Sequence, residues 1–258
     1  MLRFRLTPCL LIRDKGLVKT VNFNDSKYVG DPLNVVKIFN EKEVDEIIIL
    51  DIDATADSKI PDLLMIKNLA AECRMPLCYG GGISSIAQIQ EIISLGVEKV
   101  ALSAAALFDP ELISQAAQTV GSQSVVVVID VKKRRFSKKY DIYTHNGTKK
   151  HKKDFLSWVA EVQSLGAGEI VINSIDRDGT MNGYDTELVE IVKETISLPL
   201  TVLGGAGSLK DVAGLIKKFG IIGAAAGSLF VFKGKYKAVL VNYPNPLEKK
   251  TITKYNKK

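Results

Sequence analysis

The sequence predicts a single (β/α)8 barrel, and three observations point to it: the length, the alternation of element types, and an internal repeat. The 258 residues match the roughly 250 that one such barrel needs. Short apolar runs alternate with longer amphipathic ones from end to end, as expected of parallel strands buried on both faces and separated by helices. Leu50-Asp51-Ile52-Asp53 is echoed by Ser174-Ile175-Asp176-Arg177-Asp178. Gly80-Gly81-Gly82 is echoed by Gly204-Gly205-Ala206-Gly207, and Ala104-Ala105-Ala106-Leu107-Phe108 by Ala226-Gly227-Ser228-Leu229-Phe230. Three motifs in one order at nearly one spacing imply two similar four-unit halves.

Strands are expected over Arg5–Ile12, Ile47–Ile52, Pro76–Tyr79, Val100–Leu102, Ser124–Asp130, Ile170–Ser174, Pro199–Leu203 and Ile221–Ala226. Helices are expected over Pro32–Val44, Pro61–Cys73, Ser84–Leu95, Pro110–Val120, Asp154–Leu165, Asp185–Ile196 and Ser208–Phe219. Proline near the starts (Pro32, Pro61, Pro110) and glycine after the ends (Gly96, Gly121, Gly166, Gly220) mark their boundaries. A doubly wound open sheet would favour a glycine-rich fingerprint after its first strand. Here that strand runs into Asp14-Lys15-Gly16 instead. The reading is one domain over 1–258, with a basic hairpin inserted around 131–153 and a basic C-terminal tail.

Hydrophobic residues make up 46% and charged residues 25%, an ordinary soluble balance. The uncharged stretches Leu198–Leu209 and Phe219–Phe232 are too short and glycine-containing for a membrane span. Met1 to Arg5 lead straight into an apolar strand without a signal-peptide layout, so a cytoplasmic protein is expected. Cys9, Cys73 and Cys78 are too few and irregular for a disulfide framework or a zinc site, and read as reduced thiols. With only His145 and His151 beside them, neither a metal nor an organic cofactor is expected. Acid–base chemistry must rest mainly on carboxylates. The net charge of +6 sits largely in Lys132 to Arg135, Lys138-Lys139, Lys149 to Lys153 and Lys249 to Lys258. Such runs are usually solvated surface. Phe136, Tyr140 and Tyr143 among them fit an exposed hairpin ended by Asn146-Gly147 better than a base-stacking platform, so no nucleic-acid partner is expected.

The glycine clusters follow the third and seventh strands, on the barrel face that carries active sites. Glycine lets backbone N–H groups approach an anion. Gly82 with Ser103, and Gly205 with Ser228, are the expected donors to a small molecule phosphorylated at both ends. Tight βα turns alone would also explain these glycines. Asp51, Asp130, Asp176 and Asp178 end strands two, five and six, where carboxylates point into the mouth and can act as acids or bases. Capping a following helix is the alternative use of a strand-end Asp. Lys19, Asp51, Asp178 and Gly179 complete the candidate ligand contacts. At the opposite end, Arg5, Glu46, Lys99 and Glu169 stand at strand starts, where two positives and two negatives could ring the floor. Ordinary surface charge is the competing account.

Several stretches together identify a resemblance. They are Gly80-Gly81-Gly82-Ile83, Gly121-Ser122-Gln123 with Val127-Val128-Ile129-Asp130, Gly166-Ala167-Gly168-Glu169-Ile170 and Ser174 through Thr180. Gly183-Tyr184-Asp185-Thr186-Glu187 and Gly204-Gly205-Ala206-Gly207 complete the set. Over essentially its whole length the chain resembles the HisF family, the cyclase subunit of imidazole glycerol phosphate synthase. That resemblance implies a glutaminase docked on the floor, ammonia passing up the barrel, and a gate of salt-bridged Arg5, Glu46, Lys99 and Glu169. Glu98 would sit on the docking rim. It also implies a pair of catalytic aspartates, of which Asp130 is present and Leu11 replaces the other. A leucine cannot move a proton, so the paired mechanism is broken. Ser103 stands where the family usually has asparagine, and Asn173 where it usually has threonine.

Pro8-Cys9-Leu10-Leu11, Met75 to Gly80, Phe230 to Lys235 and Val241-Asn242-Tyr243-Pro244 are similar to a HisF-like branch associated with amidation of surface-polysaccharide sugars. The resemblance implies a HisH-like glutaminase and a separate sugar amidotransferase as partners. Two other functions stay open. One is a working histidine-pathway cyclase, a lyase that recruits another acid such as Asp51 or Asp176. The other is a scaffold that only activates its glutaminase.

Overall fold

The computed structural model describes residues 4–254. Met1 to Arg3, part of the N-terminal layout considered above, and positions 255–258 of the basic tail lie outside the described residues. Eight parallel strands close on themselves: β1 (Arg5–Arg13), β2 (Ile47–Asp51), β3 (Leu77–Gly80), β4 (Lys99–Leu102), β5 (Val125–Lys133), β6 (Glu169–Ser174), β7 (Leu200–Leu203) and β8 (Gly223–Ala226). Each pairs with the next, and β8 returns to β1 through Arg5↔Gly223 and Thr7↔Ala225. The chain is a (β/α)8 barrel.

Helices α1 (Pro32–Glu41), α2 (Leu63–Glu72), α3 (Ile86–Ser94), α4 (Glu111–Val120), α5 (Phe155–Ser164), α6 (Thr186–Thr195) and α7 (Leu209–Phe219) fill the connections. Most begin one or two residues later than the periodicity suggested, because the first polar residue is the N-cap. Asp31, Asp62, Ser85, Asp154, Asp185 and Ser208 each accept an N–H three residues on, satisfying one of the donors a helix start leaves free. A further helix, α8 (Pro246–Lys254), follows the barrel.

Strand alternation divides the core. On β1, Leu6, Leu10 and Ile12 join the large outer cluster packed against the helices, while Cys9 and Leu11 belong to an inner one. That inner cluster also holds Ile48, Cys78, Ala101, Val126, Val128, Val171, Leu203 and Ala225. The lumen is therefore mostly apolar between its two ends, with the buried Thr7 of β1 also on its inner face. No helix among the described residues is long and apolar enough to cross a membrane.

Two antiparallel insertions crown the C-terminal end. Gly16–Val21 turns back from β1 and pairs with Asn24–Gly30. Its two tight turns place Asp14 and Lys15, then Asn22 and Phe23, at φ of 47–64°. Both central residues left-handed is the type I′ geometry that matches strand twist. Tyr140–Thr144 pairs with β5, and Lys149–Lys150 pairs with it in turn. Asn146-Gly147 lies in the second of these turns and does not end the first.

Candidate functional site

The mouth brings together most of the residues expected there. Gly82, Ser103, Gly205 and Ser228 line one cavity with Leu11, Lys19, Asp51, Asp130, Asp178 and Gly179. It encloses about 1240 Å3 when the open space at its entrance is included. The two glycine loops and their following small-residue turns thus face one space from opposite halves of the barrel.

Asp130 ends β5 and lies level with Asn173 on β6. Asn173 Nδ2 donates to Asp130 Oδ1 at 2.9 Å. Burial pushes the Asp130 carboxyl up to about 7, with the Asn173 hydrogen bond opposing and the Asp178 charge adding to the rise. A carboxyl in that range can give or take a proton near neutrality. Leu11, nearly buried, adds an apolar side chain to the wall of the same cavity.

Lys19 comes from the first insertion and is buried. Its Nζ donates to the Cys9 carbonyl, and desolvation lowers its pKa against the pull of Cys9 and Asp178. Asp178 accepts from Thr20 Oγ1 at 2.7 Å and from Phe23 N at 3.4 Å. Gly179 has φ +66°, and a Cβ there would sit 2.0 Å from the Thr20 carbonyl. The β6 loop and the first insertion therefore lock together over the mouth. Asp51 lines the cavity, but its Oδ1 caps the N–H groups of Asp53 and Ala54 at 3.3 and 3.1 Å.

Asp176 is a correction. It is exposed, outside the mouth, and accepts the Lys133 N–H at 2.8 Å. The short 3-10 turn Ile175–Arg177 after β6 rotates it outward while Asp178 returns to the mouth. Asp176 is thus not the substitute acid suggested by strand-end position.

Sequence reasoning missed the roof. Thr20, Phe23, Thr144, His145 and Asn146 all line the cavity. Asn146 Nδ2 donates to Asp53 Oδ1 at 2.9 Å, and Arg13 holds the same carboxylate through two hydrogen bonds of 2.6 and 2.9 Å. Three elements meet on one side chain. Burial, then the Lys149 charge, lowers the pKa of His145. The only signal in the sequence was Asn146-Gly147, a turn former. Tyr140 is buried with its hydroxyl 3.0 Å from Asp185, and Phe136 is fully exposed, so they share no stacking surface.

At the opposite end Arg5, Glu46, Lys99 and Glu169 meet in a ring. Arg5 reaches Glu46 at 2.7 Å and Glu169 at 2.6 Å; Lys99 reaches the same two carboxylates at 2.6 and 2.9 Å. Thr201, not foreseen, donates to Glu169 Oε1 at 2.6 Å. Burial opposes the charge on Glu169, yet Arg5, Lys99 and Thr201 together hold its pKa below the usual value. The same carboxylates raise the pKa of Lys99 despite its burial. Glu98 is exposed beside the ring, accepting the Leu77 N–H at 2.7 Å.

A family model described as "Histidine biosynthesis protein" matches residues 5–237. A Vibrio vulnificus (strain YJ016) protein named "Putative imidazole glycerol phosphate synthase subunit hisF3" is 58% identical over 97% of this chain and 96% of its own length. A Leptospira borgpetersenii protein, "Putative imidazole glycerol phosphate synthase subunit HisF", is 55% identical over 98% and 99%. The Streptococcus sanguinis (strain SK36) "Imidazole glycerol phosphate synthase subunit HisF" is 37% identical over 89% and 91%. With its closed barrel, paired glycine loops and strand-end aspartates, this chain belongs to the HisF family.

Proposed function

We propose that this chain is the ammonia-receiving barrel of a glutamine-dependent amidotransferase complex. It takes ammonia from a HisH-like glutaminase at the floor and passes it on for amidation of a surface-polysaccharide sugar by a separate amidotransferase. The observation that carries this reading is the apolar Leu11 in the mouth cavity that Asp130 also lines. Where the resemblance implies a pair of aspartates the mouth has Leu11 and Asp130, while the floor has a complete ring of ion pairs. The ring serves as the gate, and the apolar lumen between Cys9, Val126, Val171 and Ala225 suits a small neutral molecule and disfavours ions. Gly82 with Ser103 and Gly205 with Ser228 hold a phosphorylated ligand at the mouth.

One observation favours a second reading, the imidazole glycerol phosphate synthase cyclase that the relatives' names carry. Asp130 is retained, and at about 7 it is poised for proton transfer near neutral pH. The purified chain, given the histidine-pathway intermediate and free ammonia, separates the two. The amidation reading expects no cyclisation, since loss of a positioned acid costs roughly 10²- to 10⁴-fold in rate. Robust turnover overturns it in favour of the cyclase. Affinity capture from the source cell should recover a glutaminase together with a sugar amidotransferase. Recovery of the glutaminase alone points to a scaffold.

A further inference from the structure

The inserted hairpin gathers the chain's excess positive charge. Residues 131–153 carry ten Lys or Arg and one Asp, a net +9 against +6 for the whole chain, so the remainder is net −3. Few carboxylates answer those cations. Arg134 and Lys150 share Asp141 at 2.6 Å each, Lys133 reaches Glu187, and Lys153 reaches Glu161. Arg135, Lys138, Lys139, Lys149 and Lys152 are exposed and have no ion-pair partner among the described residues. At the tip, Phe136 is fully exposed with φ at 56°. A bulky residue in the left-handed region is strained, and its uncovered ring keeps apolar surface in water. Nothing within the chain offsets either cost. Beside the other end of the hairpin Phe108 is also exposed, its ring edge-on to His151 at 5.7 Å.

The hairpin's surroundings narrow the partner. Thr144, His145 and Asn146 line the mouth cavity, whereas Lys132, Arg134, Arg135 and Lys150 line a separate open groove over Tyr143, with Asp141 and Asp176. A body seated in that groove lies beside the exit of the barrel. Lys149 is level with Thr144, at the opposite end of the strand Tyr140–Thr144 from the tip. The unpaired cations therefore spread over more than about 13 Å, too far for one small anion. Bases would find no stacking platform, because Tyr140 is buried and Lys132 Nζ covers the Tyr143 ring at 5.0 Å. Carboxylates interspersed among cations, with exposed aromatic anchors, match a folded protein face better than a uniformly charged polymer or bilayer.

We propose that the outer face of this hairpin docks the ammonia-consuming enzyme of the complex through an acidic surface of that enzyme. Arg135, Lys138, Lys139 and Lys149 make the charged contacts, and Phe136 is the apolar anchor. The proposal rests on the ammonia-conducting reading of the barrel: ammonia leaving an open mouth is diluted into solvent, so the enzyme that uses it must sit on the rim. The floor, at the opposite end, stays free for the glutaminase. Charge steers the encounter, and burial of the Phe136 ring holds it, as aromatic anchors at the centre of interfaces do.

The test uses the full chain with its glutaminase and the purified sugar amidotransferase of the source cell, and follows binding by surface plasmon resonance. Arg135→Glu, Lys138→Glu and Lys139→Glu together should slow association and raise the dissociation constant at least about tenfold at low salt, with the gap narrowing at high salt. Phe136→Ser should instead speed dissociation and leave the salt dependence unchanged. All four side chains are exposed, so these variants should unfold at the wild-type temperature and keep their coupling to the glutaminase. The same charge reversal on α1, α2 and α7, as Lys37→Glu, Lys67→Glu and Lys217→Glu, should weaken binding far less. No binding by the wild-type chain, unchanged affinity in the hairpin variants, or an equal loss in the control overturns the proposal. So does binding of oligodeoxythymidine or phosphatidylglycerol vesicles as tight as that of the enzyme at physiological salt. Glutamine-dependent amidation of the sugar is measured separately. Hairpin-dependent binding without amidation defeats the conducting reading alone; amidation that survives both hairpin variants defeats the docking face alone.

Discussion

Asp130→Asn should stabilise the barrel, and increasingly so as pH rises. The substitution keeps the shape and leaves a side-chain oxygen to accept the Asn173 Nδ2 bond. What it removes is a carboxyl that burial pushes from 3.8 up to about 7. An acid with a raised native pKa is held protonated by the fold while the unfolded chain has already ionised. Wild-type stability therefore falls as pH climbs from the unfolded value near 4 through the native value near 7. Linkage over that window makes the variant's advantage grow by about 3 kcal/mol between pH 5 and pH 8. Chemical denaturation of both proteins at the two pH values measures it, with equal m-values required for the comparison. A pH-independent difference, or loss of stability in the variant at pH 8, would refute the argument that Asp130 is a desolvated acid with no cationic partner.

Three further outcomes follow from contacts already described. Gly179→Ala should cost at least about 2 kcal/mol, because it combines a φ of +66° with a Cβ 2.0 Å from the Thr20 carbonyl; urea unfolding measures it. Asn146→Ala should speed hydrogen exchange in the His145–Thr148 turn by breaking its bond to Asp53, while amides of β1 to β8 keep their protection. Glu169 is held below its usual pKa, so the ring's stabilisation is full above about 4.5 and is lost as pH falls through the native value. Glu169→Gln should accordingly flatten the acid limb of the stability curve below about pH 4.5.

Legibility varied with how locally each feature is encoded. The barrel strands were readable because burial on both faces makes each a continuous apolar run, as in Val125 to Ile129. Helix starts were readable to within a residue or two because Asp or Ser caps stand beside them. The first insertion was not, since its turns use Asp14-Lys15 and Asn22-Phe23 with no glycine, and tertiary contacts such as Thr20 to Asp178 stabilise the strained φ values. Asp176 misled because strand-end position cannot foresee a 3-10 turn. Thr201 at the floor and His145 and Asn146 at the mouth were invisible for another reason: their neighbours lie far away in sequence. The ring could be suspected from charges at strand starts, but which atoms pair is settled only by closure of the barrel.

The two ends of the barrel should also be energetically separable. Arg5 and Leu11 lie on one strand six residues apart, about 20 Å at the usual rise. At that distance, and with an effective protein dielectric near 20, a unit charge introduced at the mouth interacts with one ring charge by less than about 1 kcal/mol. The ring holds two positive and two negative groups in mutual contact, so these effects largely cancel. Leu11→Asp should therefore act on Asp130, which lines the same cavity, and leave the ring undisturbed. Lys99→Ala should strip one cation from two buried carboxylates without reaching the mouth, at a cost of several kcal/mol if the desolvation is uncompensated. Combining the two should give a stability change equal to their sum within about 0.5 kcal/mol. A larger coupling, measured by a double-mutant cycle in urea at neutral pH, would mean that the lumen transmits between floor and mouth. In that case a substitution at Leu11 could not be read as confined to the mouth.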